Sequence, residues 1–314
     1  QILEDVDSRY RTPRGEFVPA NFDRVAHGPI AMREALGNSL NLAAVYLLQQ
    51  VGPPAFYDVL ARLRLINYPE RGPEHYGLGL VVGNPEVSLL ELATAFACLA
   101  NGGVYRPVKI LKEPQGAVRD QGCTPHPDPL FSRGEGDAKV ADLEHHGDDI
   151  FRPAADSISA GEGAQRIFSP QAAYIVSDIL ADPLARARTF AGSQAMHPPF
   201  PLAIKTGTST RYRDCWAVGY TREYTLAVWT GNFDGRPTAK MSGATAAAPI
   251  LTELAALVVA GDQTQGFAPA PGVERLEVCS FSGMRPGPGC RHRRQELFIT
   301  GTGPHDLCTF HQPQ

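Results

Sequence analysis

The apolar run Leu202-Ala203-Ile204 ends abruptly in Lys205, and then in Thr206, Gly207, Thr208, Ser209 and Thr210. A solvated strand end needs only one polar residue. A cation followed by a row of hydroxyls instead describes the wall of a pocket for an anion. The same residues suit acyl transfer. An exposed strand edge points a backbone N–H at an oxyanion, and Gly207 lets a substrate lie close against that edge. The hydroxyls of Thr206 and Thr208 can hold a carboxylate, while Lys205 supplies positive potential for it and for proton traffic.

Ser39-Leu40-Asn41 is the second candidate. The Ser39 hydroxyl can relay a proton to a departing amine, and the Asn41 amide can hold a substrate carbonyl. Taken alone, the pair reads as helix caps, with Asn41 placed to cap the helix that follows. Taken with the lysine triplet, it reads as part of a catalytic set. A third element, a serine three residues before a lysine, would supply the activated nucleophile. The five lysines, Lys109, Lys112, Lys139, Lys205 and Lys240, are preceded at that spacing by Arg106, Lys109, Gly136, Leu202 and Pro237. No such pair exists in this chain, so the acylating nucleophile is expected to lie outside it. The opening residues from Gln1 read as the middle of a domain, which is the pattern of a fragment that starts after the nucleophile.

These residues need elements to position them. "PIAMREAL" is apolar at helical spacing and stops at Gly37-Asn38. "LAAVYLLQQVG" and "PPAFYDVLARLRL" predict two further helices. Ser88-Leu89-Leu90-Glu91 is a capping box that opens a helix closed by Gly102-Gly103. Ser169-Pro170 opens another. "FPLAIKTGT", "CWAVGYT" and "YTLAVWTGNF" are joined by short polar turns, so they predict an antiparallel meander. Ala244 to Ala260 is helix-like, and residues 111–165 form a surface excursion rich in Pro, Gly, Asp and His. Trp216, Trp229, Cys98 and Cys215 are expected in the core, and Arg213-Asp214 as a structural pair in a strand turn. His145-His146-Gly147-Asp148-Asp149 reads as a solvated loop. Cys123, in a polar stretch, has no assigned role.

The bulk numbers fit this picture. With 314 residues, 43% hydrophobic and 20% charged, the chain has ample core for about two domains. A net charge of −4 without a basic run argues against nucleic acid as a partner. No apolar run reaches the ~20 residues of a membrane helix. The best stretch, Ala246 to Ala260, is interrupted by Pro249 and Glu253.

The stretches "NFDRVAHGPIAMREALGNSLNLAAVYLLQQVGP", "SLLELATAFACLANGG", "IFSPQAAYIVSDILADP", "KTGTSTRYRDCWAVGYT" and "YTLAVWTGNFDGRP" together resemble the C-terminal part of the class A penicillin-binding proteins, most closely their 1C subgroup. The resemblance covers most of residues 21–250, and the tail from Val278 also resembles the segment that follows the transpeptidase domain in that subgroup. It implies an α+β fold of the transpeptidase and β-lactamase type. That fold has a five-stranded antiparallel sheet with helices on both faces, here lacking its N-terminal part. It also implies a domain over 1–261 and a linker with a small cysteine-containing module over 262–314. The implied activity is D,D-transpeptidation: acyl transfer that cross-links peptidoglycan stem peptides ending in D-Ala-D-Ala, inhibited by β-lactams. Such proteins also carry a glycosyltransferase domain that polymerises lipid II into glycan strands, and an N-terminal anchor that holds them at the periplasmic face of the cytoplasmic membrane. By motif, Ser39 and Asn41 take the second-motif roles and Lys205, Thr206, Gly207 and Thr208 the third. No cofactor is implied. A hydrolytic relative (a carboxypeptidase or β-lactamase) and a non-catalytic peptidoglycan-binding or β-lactam-sensing domain are the alternatives.

In the tail, a short segment with little core needs a staple. A periplasmic setting favours one disulfide, Cys279 to Cys290. The alternative is a zinc site from Cys279, Cys290, Cys308 and His311.

Overall fold

The computed structural model describes residues 1–12, 15–110, 163–259 and 264–311. Its centre is a three-stranded antiparallel meander: Ala203–Thr208, Asp214–Tyr220 and Thr225–Gly231. Lys205 lies opposite Val218 and Gly207 opposite Trp216. Alternation along the strands sends Ile204, Ala217 and Val228 to one face. There they pack with Ala247, Ala248 and Leu251 of the helical segment that follows. The other face presents Ala203 and Tyr220 to Leu180 of the helix Pro170–Ala181 and to Phe96 and Leu99 of the helix Leu89–Ala100. The sheet therefore has helices on both faces, and three of the five strands the resemblance implies lie among the described residues. Within them, the Ala203–Thr208 strand is paired along one side only.

The caps read from sequence are present. Ser88 and Glu91 bond reciprocally, Glu91 N to Ser88 Oγ at 3.2 Å and Ser88 N to Glu91 Oε2 at 2.8 Å. Ser169 Oγ accepts from Ala172 N at 3.1 Å. The last helix starts with a π-helical turn, Gly243–Ala247, before the α-helix Ala248–Val259. A side chain at Gly243 would collide with the carbonyl oxygens of Trp216 and Gly207. Glycine there lets the helix start press against the Lys205 strand.

Several local expectations gave way to long-range partners. Pro29, Ile30 and Ala31 are not helical. Gly28–Ala31 is a strand paired with Ile2–Asp5, Leu3 opposite Ile30, and the helix begins at Met32. The apolar cluster of Leu3, Ile30, Ala35, Leu40 and Ala43 rewards that pairing. Trp216 and Trp229 are half-buried rather than core, with ring centres 6.3 Å apart. Asp214 is engaged by Ser209 Oγ at 2.7 Å and Trp229 Nε1 at 3.0 Å, not by Arg213. Cys98 and Cys215 are fully buried, as small core residues. Of the expected excursion, residues 111–162 lie outside the described residues, with Cys123 and the His145–Asp149 stretch. Its last residue, Gln165, is already in a strand paired with Val104–Tyr105.

The tail is a hairpin of Val273–Cys279 against Arg293–Ile299. It is fastened to the body by Arg33, which donates to Glu296 at 2.8 Å, Asp178 at 2.7 Å and Asp182 at 3.3 Å.

Candidate active site

Ser39 follows the short helix Met32–Gly37 and precedes the helix Asn41–Val51. Leu40 N donates to Ala35 O and Ser39 N to Leu36 O, the two bonds of a Schellman motif. Ser39 occupies the left-handed position of that motif, with φ 58°, where glycine is usual. A side chain kept in that conformation costs on the order of 1 kcal/mol or more, and such residues cluster at functional sites.

The start of the second helix is held from far away. Asn41 does not cap it: Leu40 is the cap residue, and Asn41 Nδ2 donates to Ala20 O at 2.9 Å. The first N–H groups of the helix find other acceptors. Ala43 N donates to Asp5 Oδ1 and Leu42 N to Asn21 Oδ1, each at 3.2 Å. Asp5, fully buried, also accepts from Asn21 Nδ2 at 2.8 Å and His27 N at 2.8 Å. On the other side, Asn38 Nδ2 donates to Glu34 O and Ala185 O, and its Oδ1 accepts from Thr189 N, all at 2.8 Å. Asp5, Asn21 and Asn38 thus set where Ser39 sits. Motif reading passed over them; polar residues amid apolar neighbours in strand and helix patterns were the available signal.

Lys205 reaches this turn from the sheet. Its Nζ donates to Ser39 Oγ at 2.5 Å and to Thr206 O at 2.7 Å, although the two residues are 166 positions apart. Burial disfavours the ammonium and pulls the Lys205 pKa down to about 8. Gly207 is exposed, and a side chain there would meet only Trp216 Cβ, at an ordinary 3.7 Å. Thr208 Oγ1 accepts from Gly243 N at 3.0 Å, which ties the strand to the helix start below it. By the strand's alternation, Thr206 and Thr208 share the face opposite Lys205 and Gly207.

The structure therefore brings Ser39 and Lys205 into direct contact, with Gly207 next along the same strand face. It holds Asn41 on the adjoining helix turn through Ala20. A cavity of about 570 Å³ at the junction with the tail, bordered by Arg33, Asp178, Arg275 and Arg294, includes none of these residues.

The second cluster is in the tail. Cys279, Cys290 and Cys308 are free thiols, so the Cys279–Cys290 disulfide expected from sequence is not formed. Cys308 and His311 share the same space, and the donor atoms of all four residues lie within 4.8 Å of one another.

Residues 5–256 match the penicillin binding protein transpeptidase domain family, and residues 269–313 match the C-terminal domain of penicillin-binding protein 1A. Penicillin-binding protein 1C of Escherichia coli (strain K12) is 30% identical over 310 residues, 98% of this chain and 33% of the relative. Penicillin-binding protein 1A of Clostridium perfringens is 28% identical, over 93% of this chain and 32% of the relative. The crystal structure of penicillin-binding protein 1A from Haemophilus influenzae superposes with a TM-score of 0.72 at 19% identity, covering 98% of this chain and 45% of that one. The chain thus spans about a third of the length of these curated relatives. Among the described residues, no helix is long and apolar enough to cross a membrane.

Proposed function

Given that this chain belongs to the penicillin-binding protein transpeptidase family, we propose that its groove carries the proton relay and substrate-holding half of a serine-type D,D-transpeptidase. A stem peptide ending in D-Ala-D-Ala lies extended along the unpaired side of Ala203–Thr208, adding a strand to the sheet edge. Backbone N–H groups of that edge face the oxyanion of the tetrahedral intermediate. Lys205 and Ser39 pass a proton to the departing D-Ala amine, and the Asn41 amide holds the peptide carbonyl. Thr206, Gly207 and Thr208 line the end of the strand where the terminal carboxylate binds. A β-lactam occupies the same groove as a mimic of the dipeptide.

The observation that carries this reading is the 2.5 Å contact between Lys205 Nζ and Ser39 Oγ beside an unpaired strand edge. The acylating serine, with a lysine three residues on, is not among these 314 residues. Covalent chemistry therefore requires that pair from another part of the same gene product. On this reading the product also includes the glycosyltransferase that builds glycan strands from lipid II, and an anchor at the periplasmic face of the membrane. The missing pair is also what the alternative reading expects, a non-catalytic peptidoglycan-binding or β-lactam-sensing domain.

Fluorescent penicillin labelling followed by peptide mapping separates the two. This chain alone is expected to form no stable adduct, and a longer product of the gene that includes a Ser-x-x-Lys segment is expected to label on that serine. An adduct on Ser39 or Ser209 would show the nucleophile to be misassigned. No labelling of the longer product would favour the binding reading.

A further inference from the structure

Cys279 ends the first tail strand, Cys290 precedes the second, and Cys308 and His311 lie in the terminal segment. His311 Nδ1 sits 3.6 Å from the sulfur of Cys279, 3.4 Å from that of Cys290 and 3.6 Å from that of Cys308. Hydrogen bonding does not account for this arrangement. A neutral imidazole offers one acceptor lone pair, so one thiol at most can donate to it, and thiols are weak donors. Three sulfurs at nearly equal distance around one nitrogen describe a tetrahedron. With Zn–S about 2.3 Å and Zn–N about 2.0–2.1 Å, tetrahedral ligands hold sulfur and nitrogen about 3.5 Å apart.

Gly283, with φ 69°, turns the chain sharply after Cys279, and its N–H donates to Cys279 O at 2.9 Å. All three cysteines are buried, and they make up a buried cluster by themselves. A metal would supply the cohesion that this cluster otherwise lacks.

We propose that Cys279, Cys290, Cys308 and His311 form a structural zinc site that closes the tail hairpin onto the terminal segment. Four protein ligands complete the tetrahedron and leave no open position, so the site holds structure and does no chemistry. The ion would bind three thiolates and the Nδ1 of a neutral imidazole, releasing the thiol protons on binding.

The test uses the whole 314-residue chain, produced in zinc-sufficient medium and purified without chelator. Elemental analysis is expected to give one zinc per chain. After reduction, stripping and refolding with Co²⁺, the protein should show thiolate-to-cobalt charge transfer and the d–d bands of a tetrahedral site. Cys308→Ser and His311→Ala should each lower metal affinity at least tenfold, by competition with a chromogenic chelator. If either variant fails to fold, the wild-type cobalt spectrum decides. A Cys279–Cys290 bridge in the non-reduced peptide map would overturn the proposal. So would a reduced protein that takes up neither zinc nor cobalt, or metal uptake unchanged in both variants.

Discussion

Ser39 and Lys205 meet across 166 positions of sequence, whereas Cys279 and His311 meet across 32. The longer reach has the stronger scaffold. The first contact stands where a helix pair, a buried polar network and a sheet edge converge. The serine takes a left-handed backbone there and the lysine is desolvated. The tail has a two-stranded hairpin, a salt-bridged foot on Arg33 and a buried cluster made of its own candidate ligands. Its chemical groups are the scaffold. A folded frame can spare polar atoms for catalysis; a frame this small uses them to exist.

That contrast can be broken from either side. Under reducing conditions, a strong metal chelator should open the tail and leave the groove intact. Structural zinc sites contribute on the order of 10 kcal/mol to their folded state, so rapid proteolysis confined to residues beyond about 272 is expected, with the helical signal of the body kept. Loss of the whole fold on chelation would mean that the two regions are not independent.

On the groove side, Lys205→Ala in a penicillin-labelling product should slow acylation by about 10²–10³, the usual effect of losing one preorganised electrostatic partner. Ser39→Ala should slow it too, and the double variant should be little worse than the poorer single one, since residues acting as one unit are not additive. Strict additivity would separate the two roles.

Asp5→Ala leaves the N–H groups of His27 and Ala43 and the amide of Asn21 without their buried acceptor. A loss on the order of 3 kcal/mol in urea unfolding is expected, because each unpaired buried group costs about 1–3 kcal/mol. A smaller effect on the tail's protease resistance than on the body's would sharpen the comparison.

The smallest effect concerns the strained turn. Ser39→Gly and Ser39→Ala remove the same hydroxyl, but only glycine adopts φ 58° freely. The glycine variant should be more stable than the alanine one by about 1 kcal/mol, with equally impaired acylation. Equal stabilities would show that the left-handed backbone at Ser39 carries no strain.

What the sequence made legible was local or strongly periodic. The Ser88–Glu91 box, the Ser169 cap, the meander and the lysine triplet at a strand edge all follow from neighbours a few residues apart. The parts that eluded it depend on partners far along the chain. Ile30 is a strand residue because Leu3 pairs with it. Asn41 does not cap its helix because Asp5 and Asn21 already hold its N–H groups. Trp216 and Trp229 lie half-buried because they sit opposite Gly207, toward the far end of the sheet face whose other end, at Ala203 and Tyr220, packs on two helices. In the tail, residue types could not decide between bridge and metal. The choice turns on where His311 places one nitrogen relative to three sulfurs.

The contact between Lys205 and Ser39 in a desolvated groove is tested most directly by the pH titration of the lysine amines, followed by ¹⁵N and ¹³C NMR on this chain. Of the five lysines, one is expected to titrate near 8, below the ordinary 10.5, and to vanish in Lys205→Met. The sign of the linked stability follows. The unfolded chain binds more protons between those two values, so the wild type should gain stability relative to Lys205→Met as pH rises from about 8 to 10.5. Ser39→Ala should displace that one titration and no other. Five amines titrating together near 10.5, indifferent to Ser39, would contradict the groove as a proton relay.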